Sequence, residues 1–113
     1  MGAFAAGAVV LDPFPYSDLS QSKLRPALVL AAIGRGDLVL CQITSNPYAD
    51  PLAVELSQVA FSAGSLHRTS YARPGKLFTA SETIIVGGAG TLEPAILDRV
   101  IEQIIRLLRR PQN

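Results

Sequence analysis

The chain has 113 residues, 49% hydrophobic and only 17% charged, with a formal net charge of +1 and a mean hydropathy of +0.31. That length suits one domain, residues 1–113, around one core. The near-zero charge excludes a nucleic-acid binder working through a field over the whole molecule, and the apolar composition predicts a second copy or another partner covering part of the surface. One cysteine and one histidine exclude an internal disulfide and the usual zinc patterns.

The start, Met1-Gly-Ala-Phe-Ala-Ala-Gly-Ala8, has no positively charged leader region, and the apolar runs fall short of a membrane span. A cytoplasmic protein is expected. Short apolar runs bounded by Gly, Pro, Asn and Asp read as buried strands at Ala8–Leu11, Ala27–Ile33, Leu38–Thr44, Ala53–Leu56, Lys76–Thr79 and Thr83–Val86. Between the first two runs, Pro13 and Pro15 fix φ and withhold backbone donors. The segment Leu11–Pro26 is therefore expected to arch out of the sheet as a shaped loop and to deliver Arg25 at the foot of the next strand. A guanidinium on a rigid base suits a phosphate; the competing reading is a strand-edge charge in solvent. Lys23 adds a second positive charge at the loop exit.

Arg35-Gly-Asp37 reads as a hairpin turn, not an adhesion motif. The following strand ends in two hydroxyls, Thr44 and Ser45, stopped by Asn46-Pro47. They can hold a phosphate oxygen or cap a turn. Ser57–Thr69 is patterned for one helical turn ending near Gly64. Within it His67 is the only imidazole, the side chain suited to proton transfer near neutrality, unless it is an inert surface histidine. Ser70-Tyr-Ala-Arg-Pro-Gly-Lys76 interleaves Tyr71 with Arg73 and Lys76, which suits single-stranded nucleic acid; Tyr71 serves equally as a half-buried barrel residue.

Gly87-Gly-Ala-Gly90 is expected to be a flexible link into a helix. The rival reading, a phosphate cradle, has neither the lysine nor the glycine spacing of such a loop. Leu97, Val100, Ile101, Ile104, Ile105 and Leu108 recur at helical spacing and predict a helix over Glu93–Arg109, with Pro94 in its first turn and Arg106 and Arg109 in its last. Short strands followed by one amphipathic helix define a mainly β class. The expected architecture is a small SH3-like barrel of five to seven strands with the helix packed on it.

Four ordered segments carry a resemblance: Gly7-Ala-Val-Val-Leu-Asp-Pro-Phe-Pro-Tyr-Ser-Asp-Leu19, Lys23-Leu-Arg-Pro-Ala-Leu-Val-Leu30, Gln42-Ile-Thr-Ser45 and Ser70-Tyr-Ala-Arg-Pro-Gly-Lys-Leu77. Together they resemble the PemK/MazF family, the toxin half of type II toxin–antitoxin modules. The resemblance implies a homodimer, restrained by a cognate antitoxin, that cuts single-stranded RNA with no metal or other cofactor. The ribose 2′-hydroxyl would displace the next nucleotide, inhibiting translation and growth. It implies catalytic roles for Arg25, on the pentacovalent phosphate, and for Thr44, with Lys23, Ser45, Ser70, Tyr71, Arg73 and Lys76 as RNA contacts. Many members carry an acid in the segment that here reads Ser70-Tyr71-Ala72-Arg73; none stands there. His67 is then the leading base. The competing functions are a non-enzymatic gyrase inhibitor of the same fold, against which the absence of an aromatic from the tail counts, and a degenerate module that only binds its partner.

Overall fold

The computed structural model describes residues 4–15 and 22–110. Tyr16–Gln21, the middle of the segment expected to arch outward, lies outside the described residues. Seven strands are described: β1 (Ala8–Pro15), β2 (Ser22–Ala32), β3 (Asp37–Thr44), β4 (Val54–Leu56), β5 (Phe61–Gly64), β6 (Ser70–Ser81) and β7 (Gly87–Leu92), followed by helix α1 (Pro94–Arg109). They form one antiparallel sheet in the order β4-β6-β3-β2-β1-β7-β5. The two edge strands, β4 and β5, are joined by a single 3₁₀ turn at Gln58–Ala60. This short link draws the edges together into a nearly closed barrel, which limits the exposed edge.

The apolar runs are continuous, not alternating, because the central strands are covered on both faces. Val9, Leu28, Cys41, Ile43, Leu56 and Ala72 form one core with Val100 and Ile104 of α1. Val10, Ala27, Val29, Leu38 and Leu40 form a second core on the other face, against Phe4, Phe78 and Ile85. α1 follows the predicted span closely. Pro94 opens it and Glu93 precedes it, with the Glu93 carbonyl accepting from Ile96 and Leu97. Leu108, at the far end of the apolar stripe, is exposed. The Arg35-Gly36 turn is a left-handed hairpin turn, φ 56° and 78°, closed by the Asp37 N–H on the Gly34 carbonyl.

Four expectations are corrected. Pro13 and Pro15 do not leave the sheet; they pair with Leu24 and Ser22 at the end of β1. The Leu11 carbonyl accepts from Val86 on the β7 side. By the two-residue alternation of a strand the proline nitrogens point the same way, past Leu11↔Gly87 where the β1–β7 pairing ends, so no ladder bond is lost. Thr83–Val86 is not a strand. Residues Glu82–Ile84 form a 3₁₀ turn capped by the Ser81 hydroxyl, which accepts from the Thr83 N–H.

Gly87–Gly90 is not a link but the first part of β7: Gly87, Gly88 and Gly90 pair with β1, and Gly90 pairs with β5 as well. A Cβ on Gly64 of β5 would run into the Ala89 carbonyl, and one on Gly90 would sit 2.5 Å from the Ala63 carbonyl. The glycines permit close approach of two backbones. The helical turn expected in Ser57–Thr69 is only the 3₁₀ turn, followed by β5.

Candidate functional site

The strand register assembles the site before any side-chain contact is considered. Asp12 of β1 lies opposite Arg25 of β2. The β2–β3 ladder ends at Ala27↔Gln42, and the residues two places beyond that pair on each strand, Arg25 and Thr44, both line one groove. Thr44 in turn faces Tyr71 of β6, and Tyr71 faces Glu55 of β4. Directly opposed residues share a face of a sheet. Asp12 and Arg25 therefore share a face, as do Thr44, Tyr71 and Glu55, and the groove joins the two sets at Arg25 and Thr44 into one row across five strands, with a carboxylate at each end. They come from segments scattered over more than forty positions of sequence, which is why spacing alone did not reveal the row.

Arg25 and Thr44 open onto a groove of about 560 Å³, together with Ser45 and Ser70. Its lining also includes Leu24, Leu66 and Arg68, so cations and hydroxyls stand over an apolar floor. Thr44 is buried, and its Oγ1 accepts from the Asn46 N–H at 3.2 Å. The cap leaves its own O–H available to donate. The Ser70 hydroxyl donates to the Arg68 carbonyl at 3.3 Å and fixes the strand entry beside that arginine.

The remaining sequence candidates fall elsewhere. Lys23 is a β2 residue opposite Phe14, and its side chain lies outside the described set. Tyr71 is half-buried in the row just described, and Lys76 lines a separate hollow with Gln42 and Phe78. Arg73 to Lys76 bulge out opposite the single residue Gln42, because the ladder runs Ile43↔Ala72 and then Cys41↔Leu77. Pro74, without an N–H, anchors this bulge as a buried side chain. The Cys41 thiol donates to the Arg73 carbonyl at 3.2 Å and ties the bulge to β3; burial pushes that thiol up to about 12. Arg73 itself bonds Asp50 through Nε at 3.2 Å and lies over the Tyr48 ring, 5.4 Å from its centroid.

Three functional candidates escaped the sequence reading. Tyr48 and Arg68 line the groove, and Asp12 is the carboxyl beside Arg25. Asp12 is only 2% exposed, its Oδ1 has no hydrogen-bond partner among the described residues, and desolvation raises its pKa. The proline-flanked position of Asp12 was the available signal. His67 sits exposed in left-handed backbone, φ 66°, with its N–H on the Ser65 hydroxyl.

A nearly closed seven-stranded barrel with a C-terminal helix and a groove lined by cations and hydroxyls defines a class of small β-barrels covered by one helix. Residues 5–108 match the PemK-like, MazF-like toxins of type II toxin–antitoxin systems, and the chain belongs to that family. Among solved structures the fold is similar to a mycobacterial endoribonuclease in complex with its cognate antitoxin, with TM-score 0.73 and 18% identity over 100% of both chains. MazF from Deinococcus radiodurans gives TM-score 0.72 at 21% identity, covering 95% of this chain and 97% of the other. The MazE–MazF complex of the same organism gives 0.74 at 19%, covering 96% and 98%. A comparison with curated proteins finds no match. No helix among the described residues is long and apolar enough to cross a membrane.

Proposed function

We propose that this chain is an endoribonuclease toxin that cleaves single-stranded RNA through the ribose 2′-hydroxyl. The observation that carries the reading is the junction of Arg25 and Thr44 in one groove, each two residues beyond the last pair of the β2–β3 ladder. In the reaction the 2′-hydroxyl gives up its proton and its oxygen bonds to the adjacent phosphorus. The P–O5′ bond then breaks, leaving a 2′,3′-cyclic phosphate and a 5′-hydroxyl that takes up a proton. Negative charge builds on the non-bridging oxygens. Arg25 neutralises it and the Thr44 O–H donates to it, an arrangement worth about 10²–10³ in rate per donor.

A guanidinium keeps its proton at physiological pH and so makes a poor base. The groups able to take the proton are the carboxylates ending the row, Asp12 and Glu55, and His67 on the loop before β6. Lys23, Ser45, Ser70, Tyr71, Arg73 and Lys76 contact the RNA or support the residues that do. A second copy and a cognate antitoxin are the expected partners, in the cytoplasm.

The test is incubation of the purified protein with mixed single-stranded RNA. Fragments ending in cyclic phosphate are expected, with no change on adding a chelator and loss of cleavage in Arg25→Ala. Full cleavage by Arg25→Ala would refute the mechanism. No cleavage by the wild type, together with inhibited DNA supercoiling, would favour the gyrase-directed reading.

A further inference from the structure

Tyr48 is the described aromatic that stands mostly in solvent, 65% exposed, yet it is held more firmly than an exposed ring needs to be. Its backbone and that of Ala49 adopt left-handed conformations in succession, φ 55° and 57°. This is a costly choice for two residues with side chains. The Asn46 side-chain carbonyl accepts from the Tyr48 N–H at 2.9 Å, and the Asp50 N–H closes the turn on the Pro47 carbonyl at 2.9 Å. Arg73 covers the ring at 5.4 Å and is itself fixed by Asp50 at 3.2 Å. The turn thus spends backbone strain and an ion pair on orienting a ring that burial does not repay. That ring lines the same groove as Arg25, Thr44 and Arg68.

We propose that Tyr48 is a base-stacking platform that seats an unpaired nucleobase of the RNA whose phosphate lies on Arg25 and Thr44, with Arg73 and Asp50 as its positioning residues. The inference rests on the proposed ribonuclease function and adds the contact that selects a single strand. A base in a duplex has no free face to offer. An aromatic ring held beside phosphate ligands is the general device by which proteins grip unstacked bases with little regard to sequence. Holding the ring in advance removes the cost of ordering it on binding.

The chain contains no tryptophan, so Tyr48→Trp places a single indole on the platform, which excitation at the red edge of the absorption band selects over the remaining tyrosines. Its emission is expected to quench on addition of a short single-stranded oligonucleotide with 2′-O-methyl riboses, which 2′-attack cannot cleave. The same backbone carrying abasic sugars should bind more weakly and leave the emission unchanged. Tyr48→Ala should weaken binding of the base-bearing oligonucleotide about ten- to a hundredfold while binding the abasic one as the wild type does. Tyr48→Phe should bind normally.

If the wild type cleaves RNA but Tyr48→Ala binds unchanged, or if the tryptophan stays unquenched in a formed complex, the platform is refuted and the ribonuclease reading stands. A Tyr48→Ala protein that cleaves normally but escapes its antitoxin would also overturn the inference, by assigning the ring to a protein partner. A wild type that neither binds nor cleaves single strands would remove both.

Discussion

Gly64→Ala tests the corrected reading of the glycine segment, because it places a methyl group between β5 and β7. Gly64 has φ 71°, and forcing a side chain into that region costs about 1–2 kcal/mol. The added Cβ meets the Ala89 carbonyl and lies 2.6 Å from the Gly90 Cα, both of them backbone that cannot turn aside. Relief requires β5 to lift from β7, which breaks the bond from the Ser65 N–H to the Ala89 carbonyl, worth about 1 kcal/mol net. Together these give a loss of about 2–3 kcal/mol, a large part of the roughly 5–15 kcal/mol of a domain this size.

Urea unfolding should show the midpoint falling by about 1–2 M with the slope unchanged. Gly87→Ala is the control, since a Cβ there meets nothing within 4 Å; its change should stay within about 0.5 kcal/mol. Equal stability of the two variants would refute the argument and return Gly87–Gly90 to a flexible link. The β5 end also leads into the loop carrying Leu66 and Arg68, so Gly64→Ala should weaken RNA cleavage as well.

Asp12→Asn should raise the thermal midpoint at pH 7 to 8, because the native carboxyl is desolvated and its pKa lies above the ordinary 3.8. The native state binds that proton more tightly than the unfolded chain does. The contribution of Asp12 to stability is therefore fully present below the ordinary value and is lost as pH rises through the raised one, and the asparagine variant should lack that component of the pH dependence. An unchanged pH profile would show the Asp12 carboxyl to be solvated. Cys41, buried and pushed up to about 12, should react with a disulfide reagent at pH 8 only after unfolding, as thiol release during a denaturant titration would show. Asp50→Asn frees Arg73 from a partner whose side chain is 15% exposed; it should cost about 1 kcal/mol in urea unfolding and weaken binding of base-bearing oligonucleotides more than of abasic ones. Thr44→Val keeps the shape but removes the acceptor for the Asn46 N–H and the donor to phosphate, and should lower cleavage about a hundredfold; a drop under threefold would take Thr44 out of the proposed mechanism.

Local pattern along the chain was enough to set the class of fold. Apolar runs of strand length, the Arg35-Gly-Asp37 turn and the helical stripe from Leu97 to Leu108 are local patterns, because backbone geometry repeats every two residues in a strand and every three to four in a helix. The four ordered segments likewise carried the family resemblance. Local pattern misled where the structure depends on what lies across the sheet. Pro13 and Pro15 pair because β7 has already ended on their donor side, and Gly87–Gly90 is strand because β1 pairs with Gly87 and Gly88 while β5 closes on Gly90. Neither fact is visible within the segments themselves.

The site divides in the same way. Arg25 and Thr44 were legible as residues of the right chemistry. Register set Asp12 beside Arg25 and Glu55 and Tyr71 in line with Thr44, and the groove at the end of the β2–β3 ladder joined the two sets. Tyr48 and Arg68 carry no local signal, since one sits in an ordinary-looking loop and the other in a polar stretch beside His67. Only the closing of the barrel brings the loop after β3 and the loop before β6 to one groove, because a position on a barrel rim is fixed by strand order and stagger and not by distance along the chain.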